Sequence, residues 1–225
     1  MQQQFYLMKS LVRSFMLPQK FAFTEKHVGN SNFNLLDIGA GNHSASHTQK
    51  VFPNCAYYGV DLDKNYNNDE NDFKCMTAFY EMNLDDLKFD VIPDSLFDVI
   101  LLNHVIEHLN HGEEVIKGLL TKLKKGGMIY IEFPGFKSTQ LPRMQGTLNF
   151  FDDDTHIHIH STRNIMNLLM HCNMRIVAGG TRRHKLNILM LPFKIPFTLF
   201  RYRKIVPSIF WDALGFANYV VAVKK

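Results

Sequence analysis

The stretch Leu35-Leu36-Asp37-Ile38-Gly39-Ala40-Gly41 decides how this sequence folds. An apolar run ends in an acid and two glycines follow, which is typical of a buried strand that turns sharply into a helix. Because glycine has no Cβ, backbone amides at such a turn can approach a ligand closely. The dinucleotide fingerprint GxGxxG would have a third glycine where this chain has Ser44. The turn therefore suits a nucleotide-like ligand but lacks the pyrophosphate signature.

Length and composition indicate one domain with its own core, because 46% of the 225 residues are hydrophobic and 20% are charged. A net charge of +4 without a basic cluster does not favour a nucleic-acid partner. The three cysteines are far apart and form no CxxC motif, so we expect a cytoplasmic protein. We find neither a secretion signal nor an apolar run of membrane-spanning length.

Seven short apolar segments are predicted to be strands. They are residues 34–38, 56–61, 79–84, 97–102, 128–133, 175–178 and 218–223. Segments with helical spacing lie between several of these strands, at 43–51, 113–124 and about 161–172. Gly126-Gly127 is expected to end the helix over 113–124. Strands that alternate with helices predict an α/β fold with a mostly parallel sheet and right-handed crossovers.

The remaining segments complete a single domain, 1–225. Apolar spacing over 5–17 predicts a helix within the N-terminal segment 1–20, and Pro18 ends that helix. Residues 136–160 read as a long loop with some extended structure. An insertion at about 181–216 is both basic and apolar.

Polar residues follow the predicted strands, and ligands of parallel sheets bind beyond the carboxyl ends of the strands. This rule brings to one edge Asp37, Gly39, Gly41, Asp61, Asn83, Asn103, His104 and Glu132. Asp61 comes 20 residues after Gly41, where an acid can accept hydrogen bonds from both ribose hydroxyls. Asp37 can either orient the glycine turn or bind an ammonium group. The edge therefore suits a nucleoside that carries a zwitterionic amino acid better than one that carries a phosphate.

Four blocks of residues 34–134 resemble class I S-adenosylmethionine-dependent methyltransferases of the branch that acts on small metabolites. The blocks are Leu35–Gly41, Tyr58–Asp61, Phe97–Ile100 running into His104–Leu109, and Leu123–Ile129. The resemblance implies a Rossmann-like, seven-stranded, mostly parallel sheet with helices on both faces, in three layers. It also implies S-adenosylmethionine as the cofactor.

The resemblance also assigns the cofactor contacts. It places the methionine part against Gly39 and Gly41, and the ribose on Asp61. Asp37, in either of its two roles, joins them as a predicted cofactor-binding residue. Leu62, Asn83 and Leu84 would lie near the adenine, and Asn103 near the methyl donor. At Asn83 the family often has an acid, but asparagine can still accept a hydrogen bond from the adenine amine.

Methyl transfer to a hydroxyl needs a base, and histidine is suited to this role near neutral pH. His156, His158 and His160 share one face if the segment is extended. They could form a hydrogen-bonded loop, supply His156 as the base or acceptor-positioning group, or bind a metal together with an aspartate. The pattern Asp-x-Thr-His recurs in related methyltransferases, so we predict His156 as a catalytic residue and assign no metal.

The run His104-Val105-Ile106-Glu107-His108 has the HxxEH form of an inverted zinc-peptidase motif. It follows a predicted strand of a parallel sheet, and the surrounding blocks have the methyltransferase order. We therefore interpret the run as part of the methyltransferase site, with His104 facing the acceptor as the second predicted catalytic residue.

The insertion holds an apolar run, 186–200, flanked by cations. It can be a lid or a homodimer contact, or it can lie on a membrane surface, as apolar residues beside cations do. Its prolines (Pro192, Pro196 and Pro207) argue against one long helix. Contact through 186–204 would put the protein at the inner face of the membrane.

These observations favour a methyltransferase that acts on a small molecule, most simply at oxygen of a sugar, a quinone-like compound or another metabolite. The alternative is a methyltransferase-like subunit that binds the cofactor without turnover. The residues expected to line the acceptor pocket lie outside the recognised blocks, so the sequence does not name the acceptor.

Overall fold

The computed structural model describes residues 16–225, which form a seven-stranded sheet. The strands are β1 (Phe33–Ile38), β2 (Cys55–Asp61), β3 (Met76–Glu81), β4 (Phe97–Asn103), β5 (Leu123–Pro134), β6 (Met174–Thr181) and β7 (Ala217–Lys224). Their order across the sheet is β3-β2-β1-β4-β5-β7-β6. The first five strands pair in parallel, and β7 runs antiparallel between β5 and β6. The predicted mostly parallel sheet is confirmed.

Eight α-helices and five 3-10 turns connect the strands within the described residues. The helices are α1 (Gln19–Val28), α2 (Ser44–Val51), α3 (Glu70–Cys75), α4 (Gly112–Lys122), α5 (Thr162–His171), α6 (Lys185–Leu189), α7 (Leu191–Tyr202) and α8 (Trp211–Leu214). The 3-10 turns are Leu84–Asp86, Ile106–His108, Phe136–Gln140, Phe150–Asp152 and Pro207–Phe210. No helix in residues 16–225 combines the length and apolar character needed to span a bilayer.

Helices cover both faces of the sheet because alternate strand residues point to opposite sides. Leu36 and Ile38 of β1 belong to one buried cluster, which includes apolar residues of α4 and α5. Leu35 belongs to a second cluster, with Phe21 of α1 and Ala45 of α2. The strands nearest the centre are apolar on both sides, as is typical of a sheet buried between two helical layers.

The predicted boundaries were wrong at the third strand and at the junction of α4 with β5. The third strand lies at Met76–Glu81, earlier than the predicted 79–84, because helix α3 occupies only Glu70–Cys75. Helix α4 ends at Lys122, and Gly126 and Gly127 lie within β5 instead of closing the helix. The pairing of β4 with β5 is irregular between Phe97 and Val99, where β5 accommodates these glycines.

The insertion is divided into short helices, as its prolines predict. Pro192 lies in the first turn of α7, where a missing N–H costs little, and Pro196 lies inside that helix. The predicted helix over 5–17 lies almost entirely outside the described residues. The long loop at 136–160 is confirmed, and two of the 3-10 turns lie within it.

Candidate active site

A cleft of about 700 Å³ opens at the carboxyl ends of β1 and β4. The chain leaves β1 towards β2 on one side, whereas β4 lies on the other, so this is the topological switch point at which α/β sheets bind ligands. Most of the predicted cofactor residues line the cleft: Gly39, Asp61, Leu62, Asn83, Leu84 and Asn103. His104 lines it too, but Asp37, Gly41 and His156 do not.

The glycine turn after β1 requires residues without a Cβ. Gly39 has φ +78°, and a Cβ there would lie 2.7 Å from Cγ2 of Val105. At Gly41 a Cβ would lie 2.6 Å from the ring of Tyr66, which covers this residue. The backbone at Gly39 is therefore open to the cleft, while Gly41 allows the following loop to close over the turn.

Asp37 is turned into the protein and is only 2% exposed. Its Oδ2 accepts hydrogen bonds from the hydroxyls of Tyr57 (2.8 Å) and Ser44. Of the two roles that the sequence allows, the geometry favours orientation of the glycine turn over contact with an ammonium group.

Asp61 ends β2 with its carboxylate at the cleft, where Oδ1 accepts a 2.7 Å hydrogen bond from the N–H of Leu62. Burial raises the pKa of this carboxyl above its usual value. Asn83 begins the 3-10 turn Leu84–Asp86, and its side-chain oxygen accepts from the N–H of Asp85 at 3.0 Å. Its amide nitrogen, a donor, is therefore the group more available to a ligand.

Asn103 ends β4, and both polar atoms of its side chain are buried without a partner among the described residues. An unpaired buried amide is costly, so this site favours a bound group that both donates and accepts hydrogen bonds. The residues of the cleft thus fit a nucleoside-type cofactor, since they combine an open glycine turn, a carboxylate at the end of β2 and an unpaired amide.

A second, smaller cavity of about 220 Å³ adjoins the cleft, and Asn103 and His104 line both spaces. Its walls carry charges of both signs, from Lys20, Glu132, Arg182 and Asp212, together with the amides and imidazole of Gln19, Asn187 and His184. Glu132 was expected at this edge as a strand-end residue. No pattern in the sequence identified Arg182 or Asp212, which come from the end of the sheet and from the insertion.

His104 lies between two buried carboxylates. Its Nδ1 is 3.2 Å from Oε1 of Glu107, and its Nε2 is 3.1 Å from Oε1 of Glu132. Burial alone would lower the pKa of this imidazole, but the two carboxylates outweigh it and raise the pKa to about 9. A protonated imidazole has no lone pair, so this environment favours a cationic role over that of a base. The catalytic role of His104 stays a prediction.

Glu132 is the other centre of this charged network. It accepts hydrogen bonds from Tyr130 (2.6 Å) and from Arg182 (2.8 Å) as well as contacting His104. Burial would raise its pKa, but the hydrogen bond from His104 and the charge of Arg182 lower it to about 2. The carboxylate is therefore ionised and fixed at the wall of the smaller cavity.

The three predicted histidines do not converge. His156 lies against His108, with 4.8 Å between the ring centroids, whereas His158 is exposed and His160 bonds the carbonyl of Ile106. Among the described residues, the groups close enough to share a metal ion are Glu107 with His108 and His156, and His43 with Asp69 and Asp72. A site made of the three neighbouring histidines is therefore not formed, and the role of His156 as a base stays a prediction.

One comparison with known proteins identifies a family. A family model described as "Methyltransferase domain" matches residues 3–178. No protein of curated function matches the chain by sequence.

Solved structures share the fold at low identity. One is an S-adenosylmethionine-dependent methyltransferase from Archaeoglobus fulgidus, with 17% identity and a TM-score of 0.58, covering 91% of this chain and 99% of that one. A phosphoethanolamine N-methyltransferase 2 from Haemonchus contortus has 15% identity and a TM-score of 0.66, covering 92% of this chain and 52% of that one. The [4+2]-cyclase SpnF has 15% identity and a TM-score of 0.60, covering 92% and 80%. Because these structures include a cyclase, the shared fold does not by itself define the reaction.

Proposed function

Because the chain belongs to the methyltransferase-domain family and uses S-adenosylmethionine as its methyl donor, we propose that it methylates a hydroxyl oxygen of a small polar metabolite. Membership of this family confirms the resemblance of the sequence motifs. The observation that carries the proposal is that Asn103 and His104 line both the large cleft and the smaller polar cavity. A cofactor in the cleft and an acceptor in the cavity would meet at these two residues.

The cleft is of suitable size and chemistry for the cofactor, since small-molecule sites range over roughly 300–1,000 Å³. When bound, S-adenosylmethionine would supply a methyl group activated by its positively charged sulfur. An acceptor oxygen that bonds to the methyl carbon displaces S-adenosylhomocysteine as the carbon–sulfur bond breaks, and the hydroxyl proton is lost to water. The chain contributes position: Asp61 and Asn103 orient one reactant, and the walls of the smaller cavity orient the other. Such alignment contributes on the order of 7–11 kcal/mol in well-oriented reactions.

Unpaired polar atoms in the smaller cavity support a polar acceptor. Nε2 of His184 and Oε1 of Gln19 are buried without partners among residues 16–225. Because Nδ1 of His184 accepts from the N–H of Asn187 at 3.3 Å, its Nε2 carries the hydrogen in a neutral ring and can donate. A hydroxyl both donates and accepts, so it can satisfy both atoms. An apolar acceptor would leave them unpaired.

The test measures S-adenosylhomocysteine binding by calorimetry and then turnover of S-adenosylmethionine with a panel of polyols, phenols, amines and carboxylates. We expect saturable binding and turnover only with hydroxyl-bearing acceptors. Turnover with amines alone would overturn the choice of oxygen. Binding without turnover, even with a metabolite extract, would favour the alternative of a non-catalytic cofactor-binding subunit.

We also propose that α7 contacts the anionic inner surface of a cytoplasmic membrane. Phe193, Phe197 and Phe200 recur at helical spacing and are 68%, 60% and 82% exposed. Five cations lie on or beside this helix: Lys185, Lys194, Arg201, Arg203 and Lys204. Exposed aromatic rings beside cations suit the interface of a bilayer that contains anionic lipids.

Flotation with vesicles tests this surface. We expect the protein to float with vesicles that contain phosphatidylglycerol but not with pure phosphatidylcholine, and Phe197→Ser/Phe200→Ser to abolish flotation. The control is Phe136→Ser, which removes a ring that is 62% exposed outside the insertion. Failure to float with anionic vesicles would contradict membrane contact. A dimer that dissociates in the double variant would instead identify α7 as a subunit interface.

A further inference from the structure

We propose that Glu107, His108 and His156 form a binding site for a divalent cation of the zinc type on the wall of the cofactor cleft. One donor atom from each residue lies within 4.8 Å of the other two. Tetrahedral ligands at about 2.0–2.2 Å from one ion are about 3.3–3.6 Å apart, so side-chain movements of roughly 1 Å bring these atoms to ligand positions. Cation binding at this site does not rest on the proposed function.

The backbone holds the three residues together although they lie far apart in the chain. The N–H groups of Ile157 and His158 both donate to the carbonyl oxygen of Glu107, at 2.9 and 3.1 Å. These bonds attach the segment that carries His156 to the 3-10 turn that carries Glu107 and His108. The ligand geometry is thus set by main-chain contacts and does not depend on the cation.

Hydrogen bonds leave one ring nitrogen of each histidine free to bind a metal. Nδ1 of His156 lies 2.7 Å from the carbonyl oxygen of Phe150, which can only accept, so Nδ1 carries the proton. Its Nε2 therefore has the lone pair in the neutral ring, and the carboxylate of Asp153, at 3.8 Å, is beyond hydrogen-bond distance. Metal-binding histidines are typically oriented by such a bond to a carbonyl.

His108 is oriented in the same way. The hydroxyl of Thr155 donates to Oδ1 of Asp153 at 2.5 Å, so its oxygen accepts from Nδ1 of His108 at 2.9 Å. Nε2 of His108 is then the nitrogen with the lone pair. His108 also lines the cleft, so a cation bound to it is within reach of a ligand there.

Glu107 gives an independent indication of a ligand. Its side chain is only 1% exposed, and Oε1 contacts Nδ1 of His104 at 3.2 Å. The other oxygen, Oε2, is buried without a partner among the described residues. A buried carboxylate oxygen without a partner is strongly unfavourable, and a cation held by the adjacent imidazoles would satisfy it.

The donor set indicates the kind of ion. Two imidazole nitrogens and one carboxylate oxygen match the three protein ligands of catalytic zinc sites, which leave a position for an oxygen ligand. Because His108 lines the cleft, an oxygen of water or of a ligand in the cleft can occupy this position. The second group, at His43, has no unpaired oxygen on its buried carboxylate. Asp72 already accepts from His43 (2.7 Å) and from the N–H groups of Ser46 and Asp69.

The test uses untagged full-length protein, freed of metal by a chelator and titrated with Co²⁺, whose visible absorption reports its ligands, and with Zn²⁺ by calorimetry. We expect one equivalent to bind, with affinity reduced at least about tenfold in His108→Ala, His156→Ala and Glu107→Gln. The matched control His158→Ala removes an exposed histidine of the same segment and should leave affinity unchanged. His43→Ala should have no effect either.

Absence of saturable binding by the wild type would overturn the proposal. Wild-type affinity in His108→Ala and His156→Ala would overturn it too. Loss of binding in His43→Ala alone would assign the ion to the other group and would also overturn it. Circular dichroism identifies any variant that fails to fold. If His156→Ala does not fold, the affinities of His108→Ala and Glu107→Gln decide. S-adenosylhomocysteine binding measured on the same samples separates failure of the metal site from failure of the methyltransferase assignment.

Discussion

The phenol hydroxyl of Tyr57 donates a 2.8 Å hydrogen bond to Oδ2 of Asp37, and both side chains are buried. Tyr57 lies on β2 and Asp37 on β1, so the bond joins neighbouring strands just before the Gly39 turn. Ser44, the first residue of α2, donates to the same oxygen. Asp37, the acid within the first sequence block, therefore holds a strand, a turn and a helix in one arrangement.

Tyr57→Phe should destabilise the fold by about 1.5–3 kcal/mol, because it removes a buried hydrogen bond to a charged group. The free energy of unfolding in urea measures this loss. Tyr58→Phe is the matched control, since Tyr58 lies on the opposite face of β2 and packs edge-on against Phe97. An equal loss in both variants would show that the hydroxyl of Tyr57 is unimportant.

Alanine variants of Gly39 and Gly126 separate the cost of backbone strain from the cost of a steric collision. Their φ angles are +78° and +79°, but a Cβ at Gly39 would lie 2.7 Å from Val105, whereas one at Gly126 meets nothing within 4 Å. Gly126→Ala should therefore cost about 1–2 kcal/mol, from the left-handed conformation alone. Gly39→Ala should cost about 1–3 kcal/mol more and should weaken S-adenosylhomocysteine binding. Equal stabilities and cofactor affinities in the two variants would contradict the proposed collision with Val105.

The sheet and most of the cleft could be predicted from local sequence patterns. Apolar runs that end in Asp37, Asp61 and Asn103 identify strands, and the rule for parallel sheets brings their carboxyl ends to one edge. Boundaries were less predictable: Lys124 to Gly127 look like a helix end, but pairing with β4 extends β5 back to Leu123. Tertiary pairing therefore determined that boundary.

The charged cavity and the partner of His156 could not be predicted, because they depend on contacts between distant segments. Arg182 reaches Glu132 across 50 positions, and His156 meets His108 across 48. Alternation along an extended strand would have put His156 with His158 and His160. Backbone hydrogen bonds to Glu107 instead turn this segment, so periodicity was misleading there.

Asp61→Asn should weaken S-adenosylhomocysteine binding by at least about tenfold, or roughly 1.4 kcal/mol, measured by calorimetry. The reason is that the carboxylate lies in the cleft at the end of β2, where it can accept from both ribose hydroxyls, and an amide accepts with only one atom. Asp90→Asn, at an exposed position outside the cleft, is the control. Unchanged affinity in Asp61→Asn would remove this residue from the cofactor site.

Glu132→Gln should lower stability by roughly 3 kcal/mol near neutral pH, because it removes the buried negative charge that both Arg182 and His104 contact. His104 then keeps only Glu107, and Arg182 keeps only Asp212. The hydrogen bond from His104 and the charge of Arg182, opposing burial, lower the pKa of Glu132 from 4.5 to about 2. The ionised form therefore stabilises the fold fully above pH 4.5, and this contribution is lost as the pH falls towards 2.

The difference in unfolding free energy between Glu132→Gln and the wild type should accordingly shrink as the solution is acidified. Glu113→Gln, at an exposed position in the first turn of α4, should show a small and nearly constant effect. A Glu132→Gln difference that is independent of pH would contradict the lowered pKa.

Cys55 should react with iodoacetamide far more slowly than Cys75 or Cys172 in the native protein. Its side chain is buried, and burial together with the charge of Asp37 raises the pKa of the thiol to about 12. Because the thiolate is the nucleophile, few molecules would carry a reactive Cys55 near neutral pH. Mass spectrometry of peptides from timed reactions measures the three rates. In urea the three rates should become similar, since unfolding removes both causes of the raised pKa. Comparable rates in the native state would contradict the prediction and show that β2 opens to solvent.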